Sequence, residues 1–489
     1  MNTNLNETVL KTADAYINKQ LLELLNEGSK IYLVGGYVRD LLLGKDCCDK
    51  DFVISGESAA DFSVKATDFF SGYYVLLDKK FDIARVVMPD KRHSLDFAGC
   101  MGKDIFEDLK RRDFTINAIA VDLQNRNEII DIFGGREDLK SQIIKAVSNE
   151  NLIDDPLRML RAFRHSSDTG FKIEDKTLDF IIKNKHLIQT MPCERINTEL
   201  VKLFEGDFAS STLDLMKNIS FLDELIPELS TQRTIPKNLH HHLALIDHSI
   251  ETIRQIELKI KEMPQWISEH FNREFSPNLK VISLLKLSAL LHDIGKPSTW
   301  SIDEEGRHRF IKHEEVGSEL APPILKRLKY GKHSIKYVTK LIKNHLYPSQ
   351  LLKCSHSEVK EKTCGDYSYI SEKSLLKMFR KLGDMTPDVI ILAMADRLSA
   401  LGPEITPQIV ENNIKGLTFL LEKYKEIKEK DISIPKLLSG TDIIEMLGIS
   451  KGPAVGEIIK ALKSEQLAGE ITTREEAETF VRKFHAKNL

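Results

Sequence analysis

Residues 33–52 read LVGGYVRDLLLGKDCCDKDF, and this stretch decides the fold. With the preceding residues 30–32, KIYLVGG reads as a buried strand running into a glycine turn. YVRDLLLG then reads as a short helix, and KDFVIS (50–55) as a second strand. Gly35 and Gly36 would let backbone N–H groups approach a polyphosphate with no Cβ in the way. Arg39 comes three residues on and is expected in the first turn of the helix, where its guanidinium adds a bidentate grip on phosphate. Asp49 and Asp51 flank one strand residue and project from the same face. Carboxylates that close repel each other, and divalent cations relieve the repulsion. Two Mg²⁺ ions suit in-line attack on a nucleotide α-phosphate: one activates the attacking hydroxyl, the other holds the triphosphate. A Gly-Gly pair alone is most often a turn, and a lone D-x-D a solvated strand. The signal is their order on a strand–turn–helix–strand frame.

Working outward, apolar residues at helical spacing (Val9, Leu10, Ala13, Ile17, Leu21, Leu22, Leu25) predict a helix over 7–27, ended by Gly28. YYVLLD, IARVVMP and HSLDFAG read as further short strands, so 29–140 form an α+β unit with a mostly antiparallel or mixed sheet. Beyond about residue 150 the patterns are helical. The expected fold is a multidomain α+β chain: an N-terminal helix (1–28), a head with a small mixed sheet (29–148), a helical neck and body (149–235), a further helical domain (236–425) and a helical tail (426–489). The charged stretch EKYKEIKEKD (422–431) is expected to be a helix end plus linker.

Composition bounds the function. The 489 residues are 42% hydrophobic and 29% charged, which excludes wholesale disorder, and the net charge of −3 excludes a globally basic nucleic-acid binder. No run approaches the ~18 apolar residues needed to span a membrane, and MNTNLNETVLKTADAY has neither the basic start nor the apolar core of a signal peptide. The six cysteines (Cys47, Cys48, Cys100, Cys193, Cys354, Cys364) make no C-x-x-C pair and read as reduced thiols in a cytoplasmic protein.

The 33–52 stretch resembles the first motif of the class II tRNA nucleotidyltransferase/poly(A) polymerase family, within the polymerase β superfamily, and four later motifs follow in order. RRDFTINAIA (111–120) resembles the second, DIFGGREDL (131–139) the third, DDPLRMLRAFR (154–164) the fourth and ERINTE (194–199) the fifth. The resemblance implies that Asp49 and Asp51 are catalytic and hold Mg²⁺. It implies nucleotide contacts from Gly35, Gly36, Arg39, Arg112 and Asn117, with Asp155 and Arg158 as a protein template for the base. On spacing alone, Asp155 and Arg158 are an i, i+3 pair on one helix face, most often a surface ion pair. As a template, the carboxylate would accept from cytosine N4 or adenine N6. Arg161, a turn further, is a candidate triphosphate ligand. The first acidic template position is Asp154, where many members have Glu. Asp96, on a strand expected beside the D-x-D strand, is a candidate third carboxylate, with an exposed strand residue as the even alternative. Residues 79–92 fall where the family carries a mobile element associated with the change from C to A addition.

A second constellation is scattered. ALLHDIGKP (289–297) puts His292 and Asp293 at the end of an apolar helix; His248 lies on an earlier helix and Asp396 on a later apolar one. This order resembles the HD metal-dependent phosphohydrolase superfamily, with His313 and His345 as additional candidate ligands. A divalent transition metal is the expected occupant. HD domains accompanying class II nucleotidyltransferases are associated with phosphatase and cyclic-phosphodiesterase activity. His240, His241 and His242 read as loop residues.

The expected activity is template-independent addition of C and/or A from CTP and ATP to the 3′ end of tRNA, with tRNA as partner and no membrane. The alternatives are a CC-only or A-only adder, a poly(A) polymerase, an HD phosphohydrolase acting on RNA ends or nucleotides, and, least favoured, a pure tRNA-binding chaperone. The interval 324–345 carries Lys326, Arg327, Lys329, Lys332, Lys336, Lys340 and Lys343 with no acid. It suits phosphate contacts along an RNA stem, and equally a solvated helix face. Lys373, Lys377, Arg380 and Lys381 form a second basic cluster. Residues 437–462 resemble the helical tail of many bacterial members. There Gly452-Pro453 is either a plain turn or a phosphate-holding one.

Overall fold

The computed structural model describes residues 16–45, 49–125, 128–235, 243–357, 367, 370–402, 405–433, 436–467 and 470–488. Cys47, Cys48, Cys364 and His240 to His242 lie outside them. The chain forms two compact units, Met1–Pro227 and Glu228–Leu489.

The first unit is built on a seven-stranded mixed sheet: β1 (Lys30–Val34), β2 (Asp49–Ser55), β3 (Tyr73–Asp78), β4 (Ile83–Val87), β5 (Ser94–Gly99), β6 (Ala120–Asp122) and β7 (Ile129–Ile130). Their order is β3-β4-β5-β2-β1-β6-β7, and only β2 with β5 is parallel. The helix Ala59–Phe70 makes the crossover side of this pairing. Ser58 caps its start by accepting from the Asp61 amide, and Asp82 accepts from the amides of Ala59 and Ala60 at 2.7 and 2.9 Å, a carboxylate on a helix N-terminus. The helix buries one sheet face: Phe62 meets Phe97 edge-on, and Phe97 stacks on Phe52 at 5.0 Å. On the other face, Ile105 and Leu109 close over Tyr32, Val34, Val53 and Ala120.

Helices Asn149–Asp154, Leu157–Thr169, Asp175–Asn184, Cys193–Glu205 and Ala209–Asn218 complete this unit. Leu157–Thr169 packs on Cys193–Glu205. That approach needs Gly206, where a Cβ would stand 2.4 Å from Ser167 Oγ.

The second unit is helical, interrupted by two short hairpins (Glu274–Ser276 with Leu279–Lys280; Trp300–Ile302 with His308–Phe310). Three closing helices (Gly440–Leu447, Pro453–Leu467, Arg474–Asn488) bury Ile443, Ala477 and Val481 in a core of their own. Pro453 opens its helix, as the Gly452-Pro453 turn predicts.

Three local readings are corrected. The expected helix 7–27 ends at Glu23 rather than at residue 27, its described part being Tyr16–Glu23 and residues 1–15 lying outside the description; Gly28 does take a left-handed φ of 84°. EKYKEIKEKD is no linker but the interior of the helix Pro407–Ser433, so the expected boundary at 425/426 falls within a helix. The sequence offers no Gly or Pro there to stop it. The helix after β1 starts directly at Gly35, so Arg39 sits in its last turn rather than its first.

Phe97→Ala is expected to lower the stability of the head by about 3–5 kcal/mol, read as a lower urea midpoint.

Candidate functional site

In the first unit, a cavity of about 560 Å³ opens at the end of β1. Gly35 forms its floor with φ +70°. A Cβ there would stand 3.0 Å from Arg112 Nη1 and 3.4 Å from Asp51 Oδ2, so glycine is required twice over. The parallel register sets Asp51 directly beside Asp96, as their expected neighbourhood requires. Burial, then Asp96, pushes Asp51 up to about 6, against the pull of Arg112. Asp96 is also held bidentately by Arg85, at 2.7 Å to each oxygen. Asp49 accepts from Ser94 Oγ at 2.7 Å. It is exposed at the near end of the same face and does not line the cavity.

Buried ion pairs and hydrogen bonds tie the remaining residues together. Arg39 Nη1 donates to Asn117 Oδ1 at 2.9 Å, and Asn117 Nδ2 donates to Asp113 Oδ1 at 3.0 Å. Arg161 Nη2 stands 2.6 Å from Asp113. Burial alone would raise Asp113; Arg161 and Asn117 hold it well below the usual carboxylate range. Arg112 pairs with the buried Asp108 at 3.1 Å. His165 is buried against Arg39, Asn117 and Arg164, and burial, then Arg164, keep it neutral by lowering its pKa far below the usual value.

Two sequence readings change here. Asp155 and Arg158 do not share one helix. Asp155 lies in the break between Asn149–Asp154 and Leu157–Thr169, with extended φ −139° and ψ 91°, because the residue before a proline avoids the helical region. It pairs with Arg195 at 2.8 Å, while Arg158 Nη1 donates to Asn151 O at 3.1 Å. Arg161 is already committed to Asp113 and, at 3.7 Å, to Glu199. Asp155, Arg158 and Arg161 all line the cavity. Arg85, Asp113, His165 and Glu199 were not singled out in the sequence; of these, only Asp113 and Glu199 fall inside quoted motifs.

Seven Arg or Lys side chains and four Asp line this cavity, an excess of positive charge suited to a polyphosphate. Within it, Asp51 and Asp96 stand side by side, with Asp49 at the near end of the same face. A cluster of oxygen donors of this kind fits a divalent cation held by Asp49 and Asp51.

In the second unit, all six sequence-named ligands converge. His248 Nε2 stands 3.0 Å from Asp396 Oδ1, His292 Nε2 3.2 Å from Asp293 Oδ2, and His313 Nε2 3.2 Å from Asp293 Oδ1. His345 Nε2 lies 3.4 Å from His313 Nε2. The Nδ1 atoms of His292, His313 and His345 each lie 2.7–2.9 Å from the backbone carbonyl three residues earlier. A carbonyl only accepts, so each Nδ1 carries a proton and each Nε2 faces the cluster. Gly295 lets the chain pass His313 O, which a Cβ would approach to 2.2 Å.

Overlapping triads (His248, His292, Asp293; His292, His345, Asp396; Asp293, His313, His345) each hold their ligand atoms within 4.8 Å. Burial would lower His292, yet Asp293 and Asp396 lift it up to about 10: a proton there balances two carboxylates, the task a metal would perform. His345 is lowered to about 3 by burial, then by His292 and His313. The donor set of imidazole and carboxylate fits a divalent transition metal. A cavity of about 410 Å³ adjoins it, with Lys296 and Arg397 in its wall.

Of the basic residues in 324–345, Lys340 is not a free phosphate ligand: its Nζ donates to Leu382 O at 2.8 Å. Arg327 pairs with Glu228 at 2.7 Å. Lys326, Lys332, Lys336 and Lys343 are exposed, as are Lys373, Lys377, Arg380 and Lys381. No described helix is long and apolar enough to cross a membrane.

Residues 31–145 match the family model described as Poly A polymerase head domain, residues 170–232 that of a probable RNA and SrmB-binding site of polymerase A, and residues 245–401 the HD domain. The chain is 30% identical over 455 residues to a CC-adding tRNA nucleotidyltransferase of Thermus thermophilus, covering 92% of each chain. It is 29% identical over 461 residues to an A-adding tRNA nucleotidyltransferase of Deinococcus radiodurans, covering 92% of this chain and 95% of the other. Its fold is that of the Thermotoga maritima CCA-adding enzyme complexed with tRNA, with a TM-score of 0.59, 21% identity and 98% of both chains covered. Five ordered motifs, a sheet that pairs Asp51 with Asp96, and similarity along nearly the whole chain place this protein in the class II tRNA nucleotidyltransferase/poly(A) polymerase family.

Proposed function

We propose that this protein adds C and/or A nucleotides from CTP and ATP to the 3′ end of tRNA, acting in the cytoplasm. The observation that carries the reading is the Asp51–Asp96 pair at the mouth of a cationic cavity. The relatives named for CC and A addition support it, and leave three specificities: full CCA, CC only or A only. In the reaction, the RNA 3′-hydroxyl attacks the α-phosphorus, the new O–P bond forms, and pyrophosphate leaves. Asp49 and Asp51 would hold Mg²⁺, which supplies hydroxyl activation and charge neutralisation at the triphosphate.

The chain's own residues do the rest. Gly35 and Gly36 open room for the phosphates, while Arg39 and Arg112 bear on triphosphate or ribose. Asn117, fixed between Arg39 and Asp113, holds that arginine in place. Asp155 and Arg158 present an acceptor and donors to the base edge, each steadied by a partner outside the cavity's centre. Arg161, in the wall of the same cavity, is held by Asp113 and Glu199 with its guanidinium available to the triphosphate. On this reading the chain runs head, neck and body, HD domain and tail.

The HD cluster supports a second reading, a metal-dependent phosphohydrolase working beside the transferase. Six converged ligands and an adjoining cavity with Lys296 and Arg397 suit a phosphate ester.

Labelled tRNAs ending before CCA, after C and after CC, given CTP, ATP or both with Mg²⁺, are expected to be extended. Extension of all three marks a CCA adder, of the CC-ended tRNA alone an A adder, and arrest at CC a CC adder. Asp49→Ala and Asp51→Asn are expected to fall to background while remaining folded; normal transfer by either folded variant contradicts the site.

Ionised Asp51 costs stability. The cost is absent below about pH 4, where folded and unfolded carboxyls are both protonated, grows toward about 6, and is full above it. Mg²⁺ must displace that proton at low pH. Its affinity by titration calorimetry is therefore expected to fall between pH 7 and pH 5 in the wild type, and to lose this dependence in Asp51→Asn.

His292→Ala is expected to abolish Co²⁺ binding, seen in the visible spectrum, and metal-dependent opening of a cyclic-phosphate RNA end, with tRNA extension retained. Ring opening unchanged by this substitution rejects the second reading.

A further inference from the structure

The sheet face that carries the carboxylates continues past them. The cross-strand rows run Asp51–Asp96–Arg85–Val75 and Asp49–Ser94–Val87–Tyr73 over β2, β5, β4 and β3. Directly paired residues share a face, so Tyr73 and Val75 lie on the same side as Asp49, Asp51 and Asp96. The opposite side is packed under the helix Ala59–Phe70, which buries Ala84, Val86, Leu95 and Phe97. On the carboxylate side the outer strand is open: Tyr73 is 56% and Val75 42% exposed, with Ile83 and Val87 half-buried beside them.

This shelf is an edge strand whose apolar run Tyr73–Leu77 is exposed along its length. Such edges invite pairing with other chains and are ordinarily blunted or covered. Its rim is basic. Lys79, Lys80, Lys91 and Arg92 are exposed, and Lys91 Nζ lies 6.0 Å from the centre of the Tyr73 ring. An exposed aromatic on a strand with lysines around it is the physical pattern of a single-stranded nucleic-acid platform: the ring stacks a base and the cations meet the backbone. In a chain of net charge −3, that rim selects an anionic partner.

Distance selects which part of it. Neighbouring strands are ~4.8 Å apart, so Val75 stands two strands, about 10 Å, from Asp96. The attacking 3′-hydroxyl must sit at the carboxylates, and about three stacked nucleotides at ~3.4 Å each cover that span.

We infer that the β3–β4 shelf binds the unpaired 3′ segment of the RNA being extended, with a base within three nucleotides of the terminus stacked on Tyr73 and its phosphates met by Lys91 and Arg92. The assignment rests on the transferase reading and adds a primer subsite to it. The shelf holds the growing end on the carboxylate face without contacting the incoming nucleotide.

The test is steady-state extension of a tRNA lacking its 3′ nucleotides by wild type, Tyr73→Ala/Val75→Ser and Tyr73→Trp. The double variant is expected to raise KM for tRNA about tenfold, the loss of one base–aromatic stack, with KM for CTP and the melting temperature unchanged. Tyr73→Trp, which keeps a ring, is expected to retain the wild-type KM. In parallel, a photoreactive pyrimidine in the second position from the RNA 3′ end is expected to crosslink to Tyr73 or Lys91 of the wild type. A folded double variant with an unchanged KM for tRNA, or crosslinks only to residues outside β3 and β4, overturns the inference while leaving the transferase reading intact. Failure of the wild type to extend any tRNA overturns that reading, and this one with it.

Discussion

The parallel pairing of β2 with β5 is the constraint on which the head depends. Every other pairing in the sheet is antiparallel, and this one sets Asp51 and Asp96 side by side in register. A parallel pair needs a crossover connection, and here that connection includes the helix Ala59–Phe70 and the β3–β4 hairpin. The helix fills one face with Phe52, Phe62 and Phe97, while the other face carries Asp49, Asp51 and Asp96 beside the apolar cluster under Ile105 and Leu109. Two carboxylates so placed are an electrostatic cost unless a cation meets them. The fold therefore spends hydrophobic burial on one side of the sheet to hold an unfavourable charge cluster on the other.

The neck resolves the opposite imbalance. Arg39, Arg161 and Arg164 would repel one another if left bare, and two buried acids, Asp113 and Glu199, hold them. His165 fits the same pocket only as a neutral ring. These contacts bind the helix Leu157–Thr169 to the second motif and to the helix Cys193–Glu205. Arg39, Asn117, Asp113, Arg161, Glu199 and Arg164 thus belong to one hydrogen-bonded network within the first unit. Truncating one buried partner leaves another charge uncompensated, which is more damaging than losing a surface pair.

What the sequence made legible was local. A strand, two glycines and a D-x-D are read within twenty residues, and the five motifs follow in order. The HD ligands were found by order alone, although they span residues 248 to 396 and say nothing locally about their Nδ1 partners. What escaped was long-range or cap-dependent. Nothing near Arg85 announces Asp96, and nothing near Asp155 announces Arg195. Pro156 did carry a usable signal, since the residue before a proline is pushed out of the helix; reading it would have separated Asp155 from Arg158. The absence of Gly or Pro within 422–431 likewise signalled a continuous helix where charge alone suggested a linker.

The proposed function requires Asp49 and Asp51 to hold the catalytic cation beside the triphosphate. Anomalous diffraction from crystals grown with Mn²⁺ and a non-hydrolysable CTP analogue tests it most directly. A manganese peak is expected within coordination distance of both carboxylates and of the triphosphate oxygens. A nucleotide bound in the cavity with no peak at Asp49 and Asp51 would contradict it.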